Sequence, residues 1–194
     1  MIKRFVIATG NAGKLREIRA VLTPLNIEVL PQSNFNVPEA EEPHCTFVEN
    51  ALAKARHASN LTGLPALADD SGICVDALNG APGVISALYA GDNPRSDSNN
   101  NAKLLTDLQG VKNRAAHYHC VMVLVRHAND PQPVIAEGNW HGEILESPRG
   151  AGGFGYDPLF LDVKLGKSGA ELPPEIKNKI SHRGRALLKM RGVV

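Results

Sequence analysis

Apolar and polar residues follow two different periods along the first third of this chain. The apolar run Phe5–Ala8 predicts a buried strand, and apolar residues at helical spacing through Lys14–Leu25 predict a helix. The run Ile27–Pro31 predicts a second strand, and Thr46–Glu49 fits a capping box that begins a helix ending near Leu61. The chain therefore begins with strands and helices in alternation.

Strand-like runs cluster in the middle of the chain. The longest is His117–Arg126, and Pro65–Ala68 predicts a short strand that ends at the turn Asp69–Gly72. A strand resumes at Ile73–Leu78, and Val134–Asn139 with Glu143–Glu146 predict two antiparallel strands. The remaining expected elements are three helices, at about 99–108, Pro173–Ile180 and His182–Met190. This order predicts one α/β domain over residues 1–194, with a mixed sheet flanked by helices.

Composition excludes several classes of function. The chain has 194 residues and a net charge of +1, which argues against binding to a nucleic-acid polymer but not to a single nucleotide. Cys45, Cys74 and Cys120 are isolated, so neither a disulfide framework nor a zinc knuckle is indicated. No stretch approaches the roughly 18 apolar residues of a membrane span. We expect a cytoplasmic protein without a membrane partner.

The turn Thr9-Gly10-Asn11-Ala12-Gly13-Lys14 joins the first strand to the first helix. Two glycines allow a close approach to a ligand, and a helix N-terminus offers backbone N–H groups to an anion. Only Asn11 and Ala12 separate Gly10 from Gly13-Lys14, so this is not a Walker loop, and no reading frame gives Gly-x-Gly-x-x-Gly. The turn indicates a phosphate site; the alternative is an ordinary connection between a strand and a helix.

Two groups of acidic residues are candidates for metal chemistry. Asp69 and Asp70 point to opposite faces of an extended chain, so one can face a ligand while the other supports the backbone. Carboxylates suit Mg²⁺, and an acid beside the ion can activate a water molecule. Glu39, Glu41 and Glu42 precede the capped helix and would supply a second metal carboxylate. The alternatives are an exposed Asp-Asp-Ser-Gly turn and a solvated acidic surface, with Lys54 on the next helix as an ordinary surface cation.

The C-terminal half holds a glycine-rich loop and a basic cluster. In the loop Gly150–Pro158, Phe154 and Tyr156 suit stacking on a base, and Asp157 suits hydrogen bonding to its edge. His182 and Arg183 are cations in the first turn of a helix, where they oppose the helix dipole, and an anionic or carbonyl-bearing ligand would explain them. A hairpin with inward-packed aromatic residues and a tolerated surface pair are the alternatives.

Taken together, these motifs resemble the inosine/xanthosine triphosphate pyrophosphatases, which act on non-canonical purine nucleoside triphosphates. The motifs occur in the family's order and span nearly the whole chain. They are Thr9–Lys14, Thr46-Phe47-x-Glu49-Asn50-Ala51, Ala68–Gly72, Gly152–Pro158 and Ser181–Gly184.

The resemblance implies an activity and an architecture. It implies hydrolysis of ITP, dITP and XTP between the α and β phosphates, giving a monophosphate and pyrophosphate and cleansing the nucleotide pool. It also implies Mg²⁺ dependence, a homodimer, and an elongated central sheet with two lobes around a nucleotide-binding cleft. A nucleotide-binding regulatory module without hydrolysis, and a phosphohydrolase of broad specificity, are the competing hypotheses.

The resemblance also assigns roles to residues. Thr9, Gly10, Asn11, Ala12, Gly13 and Lys14 would hold the triphosphate, and Ser71 would contact the substrate. Asp70 would bind metal and activate water, with Glu41 as the second metal acid and Glu42 as its rival. Base and nucleotide contacts would come from Phe154, Gly155, Tyr156, Asp157, Lys177, His182 and Arg183. Donors from His182 or Arg183 would favour the C6 keto group of hypoxanthine and xanthine over adenine, since an unpaired donor costs roughly 1–3 kcal/mol.

The chain departs from the family pattern at one position. Where the family usually has arginine after Ser86-Ala87, this chain has Leu88. If that arginine supports the phosphate region or the dimer interface, activity or assembly is altered here.

Overall fold

A computed structural model describes residues 4–25, 27–91 and 95–190 of the chain. Residues 1–3, 26, 92–94 and 191–194, which include both ends of the predicted domain, lie outside the described residues. The helices are α1 (Ala12–Leu22), α2 (Phe47–Thr62), α3 (Asp97–Asp107), α4 (Pro174–Ile180) and α5 (His182–Met190). The strands are β1 (Arg4–Ile7), β2 (Glu28–Pro31), β3 (Ala66–Val75), β4 (Ala115–Val125), β5 (Val134–Ile144), β6 (Phe160–Asp162) and β7 (Lys167–Ser168).

The strands form one mixed sheet in the order β2-β1-β3-β4-β5-β6-β7. β1 pairs in parallel with β2 and with β3, whereas β5–β6 and β6–β7 are antiparallel. The predicted mixed α/β sheet is therefore confirmed. A parallel pair needs a crossover, and α1 connects β1 to β2.

The chain divides into two compact units. The first comprises residues 1–70, 120–138 and 182–194, and the second comprises 71–119 and 139–181. The first unit has one apolar cluster between β1, α1 and α5, which includes Phe5, Ile18 and Leu187, and another where the alanines of α2 pack on valines of β4. The second unit is built on Trp140, Tyr118 and Phe160, whose rings contact one another. The expected single domain and its cleft stay predictions.

The segment 66–75 differs from its prediction. It is a single strand of 10 residues, not two strands separated by a turn. Asp69 and Asp70 are 1 % and 3 % exposed, so the alternative of an exposed Asp-Asp-Ser-Gly turn is wrong. The polar run does not end the strand because these two side chains find charged partners in the interior.

The segment 134–144 also differs from its prediction. It is one strand of 11 residues, so the two antiparallel strands expected here are wrong. Two glycines within this strand allow close backbone approach. A Cβ on Gly138 would overlap the His182 carbonyl oxygen, and one on Gly142 would overlap that of Leu161.

No helix among the described residues is long and apolar enough to cross a membrane.

Candidate active site

The turn between β1 and α1 is organised by its own side chains. Asn11 caps α1: its side-chain oxygen accepts the N–H of Lys14 at 3.0 Å, and the Thr9 hydroxyl accepts the N–H of Asn11 at 3.2 Å. Gly10, Asn11 and Ala12 are exposed. A Cβ on Gly10 would overlap the Glu39 carboxylate, so glycine permits the acidic segment to approach the turn. The predicted turn therefore presents a helix N-terminus to solvent, as anion binding requires.

Asp69 lies at the centre of a buried ion-pair network in the first unit. The Lys14 ammonium is 3.1 Å from its carboxylate, and the Arg183 guanidinium donates to the same oxygen from Nη2 at 3.1 Å. Arg183 also pairs with Glu17 of α1. Asp69 therefore links Lys14, in the turn between β1 and α1, to Arg183 in the first turn of α5.

Asp70 bonds to a different set of partners. Lys54 of α2 donates to Asp70 Oδ1 at 2.9 Å, and the Asn50 amide donates to Oδ2 at 3.4 Å. The same amide exchanges two hydrogen bonds of 3.1 Å with the backbone of His44. The helix starts where predicted, since the Thr46 hydroxyl accepts the Glu49 N–H. α2 thus places Asn50 and Lys54, one turn apart, on one face toward Asp70.

The two neighbouring carboxylates have opposite pKa shifts. Burial opposes ionisation of Asp69, but the charges of Lys14, Arg183 and Lys54 outweigh it and hold its pKa well below the usual range. Burial raises the pKa of Asp70, against the lowering effect of Lys54 and Lys14, and Glu42 raises it further. A carboxylate with a raised pKa in a polar site suits a general base.

The two rival glutamates differ in one contact. Both are exposed, but Glu42 Oε1 lies 3.2 Å from Lys54 Nζ, the ammonium that also holds Asp70. Asp70 and Glu42 therefore converge on one cation, and their oxygens are the hard ligands that Mg²⁺ prefers. Among the described residues, no three or more His, Cys, Asp or Glu side chains form a metal-binding group. The second metal acid, Glu41 or Glu42, therefore stays a prediction.

Three residues of this network were missed or misjudged from the sequence. Lys54 was expected as a surface cation, but it is 9 % exposed; burial lowers its pKa, and Asp70, Asp69 and Glu42 raise it by more. Asn50 lies in a family motif without an assigned role, and Glu17 gave no signal. The spacing of Asn50 and Lys54 by one helical turn was the available indication.

Arg183 and His182 are placed by α5. Both are buried, at 1 % and 4 % exposure. A cation in the first turn of a helix is explained here by the Asp69 and Glu17 carboxylates, which offset its unfavourable position relative to the dipole. The predicted contacts of both residues with the nucleotide stay predictions.

Cys120 is a buried thiol whose pKa is influenced by the Asp69 ion-pair network. Burial raises the pKa of this thiol to about 12, with a further increase from Asp69. The thiol is therefore protonated at neutral pH and packs as an apolar core side chain.

The glycine-rich loop belongs to the second unit. Asp157 is 2 % exposed; its carboxylate accepts the Phe154 N–H at 2.9 Å and pairs with Lys177 of α4. Lys177 Nζ also lies 4.8 Å from the centre of the Phe154 ring, which is half-buried. The structure therefore brings together the predicted residues Phe154, Asp157 and Lys177.

The other predicted residues of the second unit differ in accessibility. Tyr156 is buried, and its hydroxyl donates to the Ser86 carbonyl at 2.8 Å, so it packs inward, as one alternative had it. Gly155 and Ser71 are half-buried. Leu88 is half-buried at the end of a 3-10 helix, Gly83–Leu88.

Comparison with known proteins places these observations in a family. Residues 5–193 match the model of the Ham1 family. A dITP/XTP pyrophosphatase of Ralstonia nicotianae is 61 % identical over 191 residues, covering 97 % of this chain and 95 % of that protein. One from Nitrosomonas europaea is 63 % identical over 189 residues, covering 97 % and 93 %.

Solved structures agree with this assignment. A HAM1 protein from Coxiella burnetii superposes with a TM-score of 0.91 at 49 % identity, covering 100 % of this chain and 98 % of that one. The resemblance drawn from the five motifs is confirmed.

Proposed function

Because this chain belongs to the Ham1 family, we propose that it hydrolyses dITP, ITP and XTP to the nucleoside monophosphate and pyrophosphate. The observation that carries the proposal is the pair of adjacent buried carboxylates in β3. Asp69 fixes the cation of the phosphate turn, and Asp70 stands beside it as a base with a raised pKa. A protein that only binds nucleotides has no need for this second, partly neutralised carboxylate.

The first unit supplies the groups for the triphosphate. Backbone N–H groups at the start of α1 and the Lys14 ammonium would bind phosphate oxygens, as the helix terminus and charge favour. Asp69 keeps Lys14 in place, and Arg183 keeps Asp69 ionised. We therefore assign Arg183 a positioning role through Asp69, beside the direct nucleotide contact predicted from the sequence.

Asp70 would activate the attacking water. The water would attack the α-phosphorus in line with the leaving pyrophosphate, and Asp70 would accept its proton. Lys14 would neutralise charge on the leaving group. Mg²⁺, held by Asp70 and Glu42, would supply further charge neutralisation when bound.

The second unit supplies the base-binding loop. Phe154 would stack on the purine, with the Lys177–Asp157 pair behind it. Ser71 and His182 would supply further contacts with the nucleotide, as predicted from the sequence. A homodimer and a cytoplasmic location, implied by the resemblance, are part of the proposal, and light scattering of the purified protein tests the first.

Product analysis tests the function. The protein is incubated with ITP, XTP, GTP and ATP in the presence of Mg²⁺, and pyrophosphate and orthophosphate are measured separately. We expect pyrophosphate, with ITP and XTP preferred over ATP. Orthophosphate alone would indicate a different phosphohydrolase, and tight nucleotide binding without product would indicate the regulatory module.

A further inference from the structure

The run Asn99-Asn100-Asn101 lies in the first turns of α3, and its three side chains have three different environments. Asn99 is exposed. Asn100 is buried, accepts the Ala90 N–H at 2.8 Å and donates to the Ala87 carbonyl at 3.1 Å. Asn101 donates from Nδ2 to the carbonyl of Gly155 at 2.9 Å. The third asparagine therefore reaches the glycine-rich loop, 54 residues further along the chain.

Asp97 completes this contact from one helical turn earlier. Its carboxylate accepts the N–H of Gly155 at 2.6 Å, while Asn101 bonds to the carbonyl of the same residue. Residues four apart on a helix lie on one face, so both side chains bond to the backbone of Gly155 from the same face of α3. Asp97 is also the first residue of α3, where a negative charge is favourable.

Asp97 and Asn101 bond to a part of the loop where glycines with positive φ lie on both sides of Phe154. Gly155 has φ +62° and Gly153 has φ +73°, conformations that glycine adopts without strain but also leaves easily. Phe154 lies between them. On its other side, Asp157 accepts the Phe154 N–H and is paired with Lys177. The main chain that carries the Phe154 ring is thus held by two sets of hydrogen bonds, one from α3 to Gly155 and one from the Phe154 N–H to Asp157.

The contacts also limit what Gly155 does. Its N–H and its carbonyl are both bonded to side chains of α3. The N–H and the carbonyl of Gly155 are therefore both used in hydrogen bonds to Asp97 and Asn101, and we call this pair of side chains the clamp. The base would contact this part of the loop by packing against it.

We propose that Asp97 and Asn101 are positioning residues that hold Gly155 and so fix the Phe154 ring against the purine base. The inference rests on the proposed function for its substrate. It predicts that loosening the clamp weakens base binding and purine discrimination, because a mobile ring adds an ordering cost to binding. The chemical step at the phosphate is not touched.

The test uses isosteric variants with matched controls. Asn101→Asp removes the donor and sets a carboxylate against the Gly155 carbonyl. Asn99→Asp makes the same charge change on the exposed neighbour. Asp97→Asn keeps an acceptor for the Gly155 N–H, and Asp97→Ala removes it. For each, kcat and KM are measured with ITP and ATP, and amide hydrogen exchange is followed in the loop 153–157.

We expect Asn101→Asp to raise KM for ITP about tenfold, with kcat within about twofold of wild type, and to reduce the preference for ITP over ATP. Loop exchange speeds up in Asn101→Asp and Asp97→Ala but not in Asn99→Asp, and Asp97→Asn lies close to wild type. Unchanged KM and unchanged exchange in Asn101→Asp overturn the proposal, as does a fall in kcat alone.

The proposed function and the clamp can be refuted separately. If the wild-type protein releases no pyrophosphate from any purine triphosphate, the proposed function fails and the claim about the base fails with it. The exchange measurement still decides whether Asp97 and Asn101 hold the loop. If wild type is active but the variants behave like Asn99→Asp, only the clamp is refuted.

Discussion

Asp69 and Asp70 are consecutive residues of β3, yet their carboxylates bond to different cations. Asp69 pairs with Lys14 and Arg183, and Asp70 pairs with Lys54. Side chains of neighbouring residues in a strand point to opposite faces, so one dipeptide serves two networks. The pKa of one carboxyl falls and that of the other rises, which gives the two acids separate roles.

Asp70→Asn should remove most of the activity and leave the fold intact. The amide has the same shape but cannot accept a proton from water, and loss of a general base costs about 100-fold to 10,000-fold in rate. Pyrophosphate release from ITP measures the effect, and circular dichroism checks the fold. Asp76→Asn, at an exposed aspartate just after β3, is the control. Near-normal turnover in Asp70→Asn would disprove the assignment.

Asp69→Asn should chiefly reduce stability. The substitution leaves Lys14 and Arg183 without their shared carboxylate, and breaking a buried ion pair by removing one partner costs about 3–5 kcal/mol. Urea unfolding measures the change. Glu28→Gln breaks the exposed pair with Arg4 and should cost less than about 1 kcal/mol. Equal losses in the two variants would mean that the Asp69 network adds no more than a surface pair.

Glu42→Gln should weaken Mg²⁺ binding more than Glu41→Gln does. Both side chains are exposed, but Glu42 contacts the ammonium that also holds Asp70. The dependence of the rate on Mg²⁺ concentration compares two variants with the same chemical change at adjacent positions. A larger effect at Glu41 would support the assignment made from the sequence.

Protonation of His117 should lower the free energy of unfolding as the pH falls below about 6.5. Burial lowers the pKa of this imidazole in the folded state, and His141, whose ring centre is 5.3 Å away, lowers it further. The unfolded chain therefore binds the proton first, and unfolding is favoured from the unfolded pKa downward through the folded pKa.

His117→Gln tests this dependence. The variant should lose less stability than wild type between pH 7 and pH 5 in urea titrations, while His127→Gln, at an exposed histidine, should follow wild type. Parallel curves for His117→Gln and wild type would show that another group controls the pH dependence.

Sequence reasoning succeeded where the signal was local. The turn Thr9–Lys14, the cap at Thr46 and the long strand near His117–Arg126 each depend on neighbours in the chain. The opposite orientation of Asp69 and Asp70 follows from the geometry of an extended backbone and was correctly expected. The family, too, was recognisable, since its motifs lie in order along the chain.

The predictions that were wrong concern strands whose extent depends on residues remote in sequence. The polar run 69–72 was interpreted as a turn, and the segment 134–146 was divided into two strands. In the structure, β3 continues because Lys14, Arg183 and Lys54 compensate the acids, and β5 continues because its glycines admit the backbones of α5 and β6. These partners are remote in sequence, so no local pattern records them.

The sequence by itself determined the turn Thr9–Lys14, the pair of acids, the glycine-rich loop and the family. Tertiary structure alone decided which partner each polar side chain has: Glu42 rather than Glu41 beside Lys54, Arg183 on Asp69 and Glu17, and Asn101 on Gly155. The physical reason is that a polar group in water needs no particular partner, whereas one buried by folding must have a partner. Only the folded chain shows which of these groups are buried and what lies within reach of each.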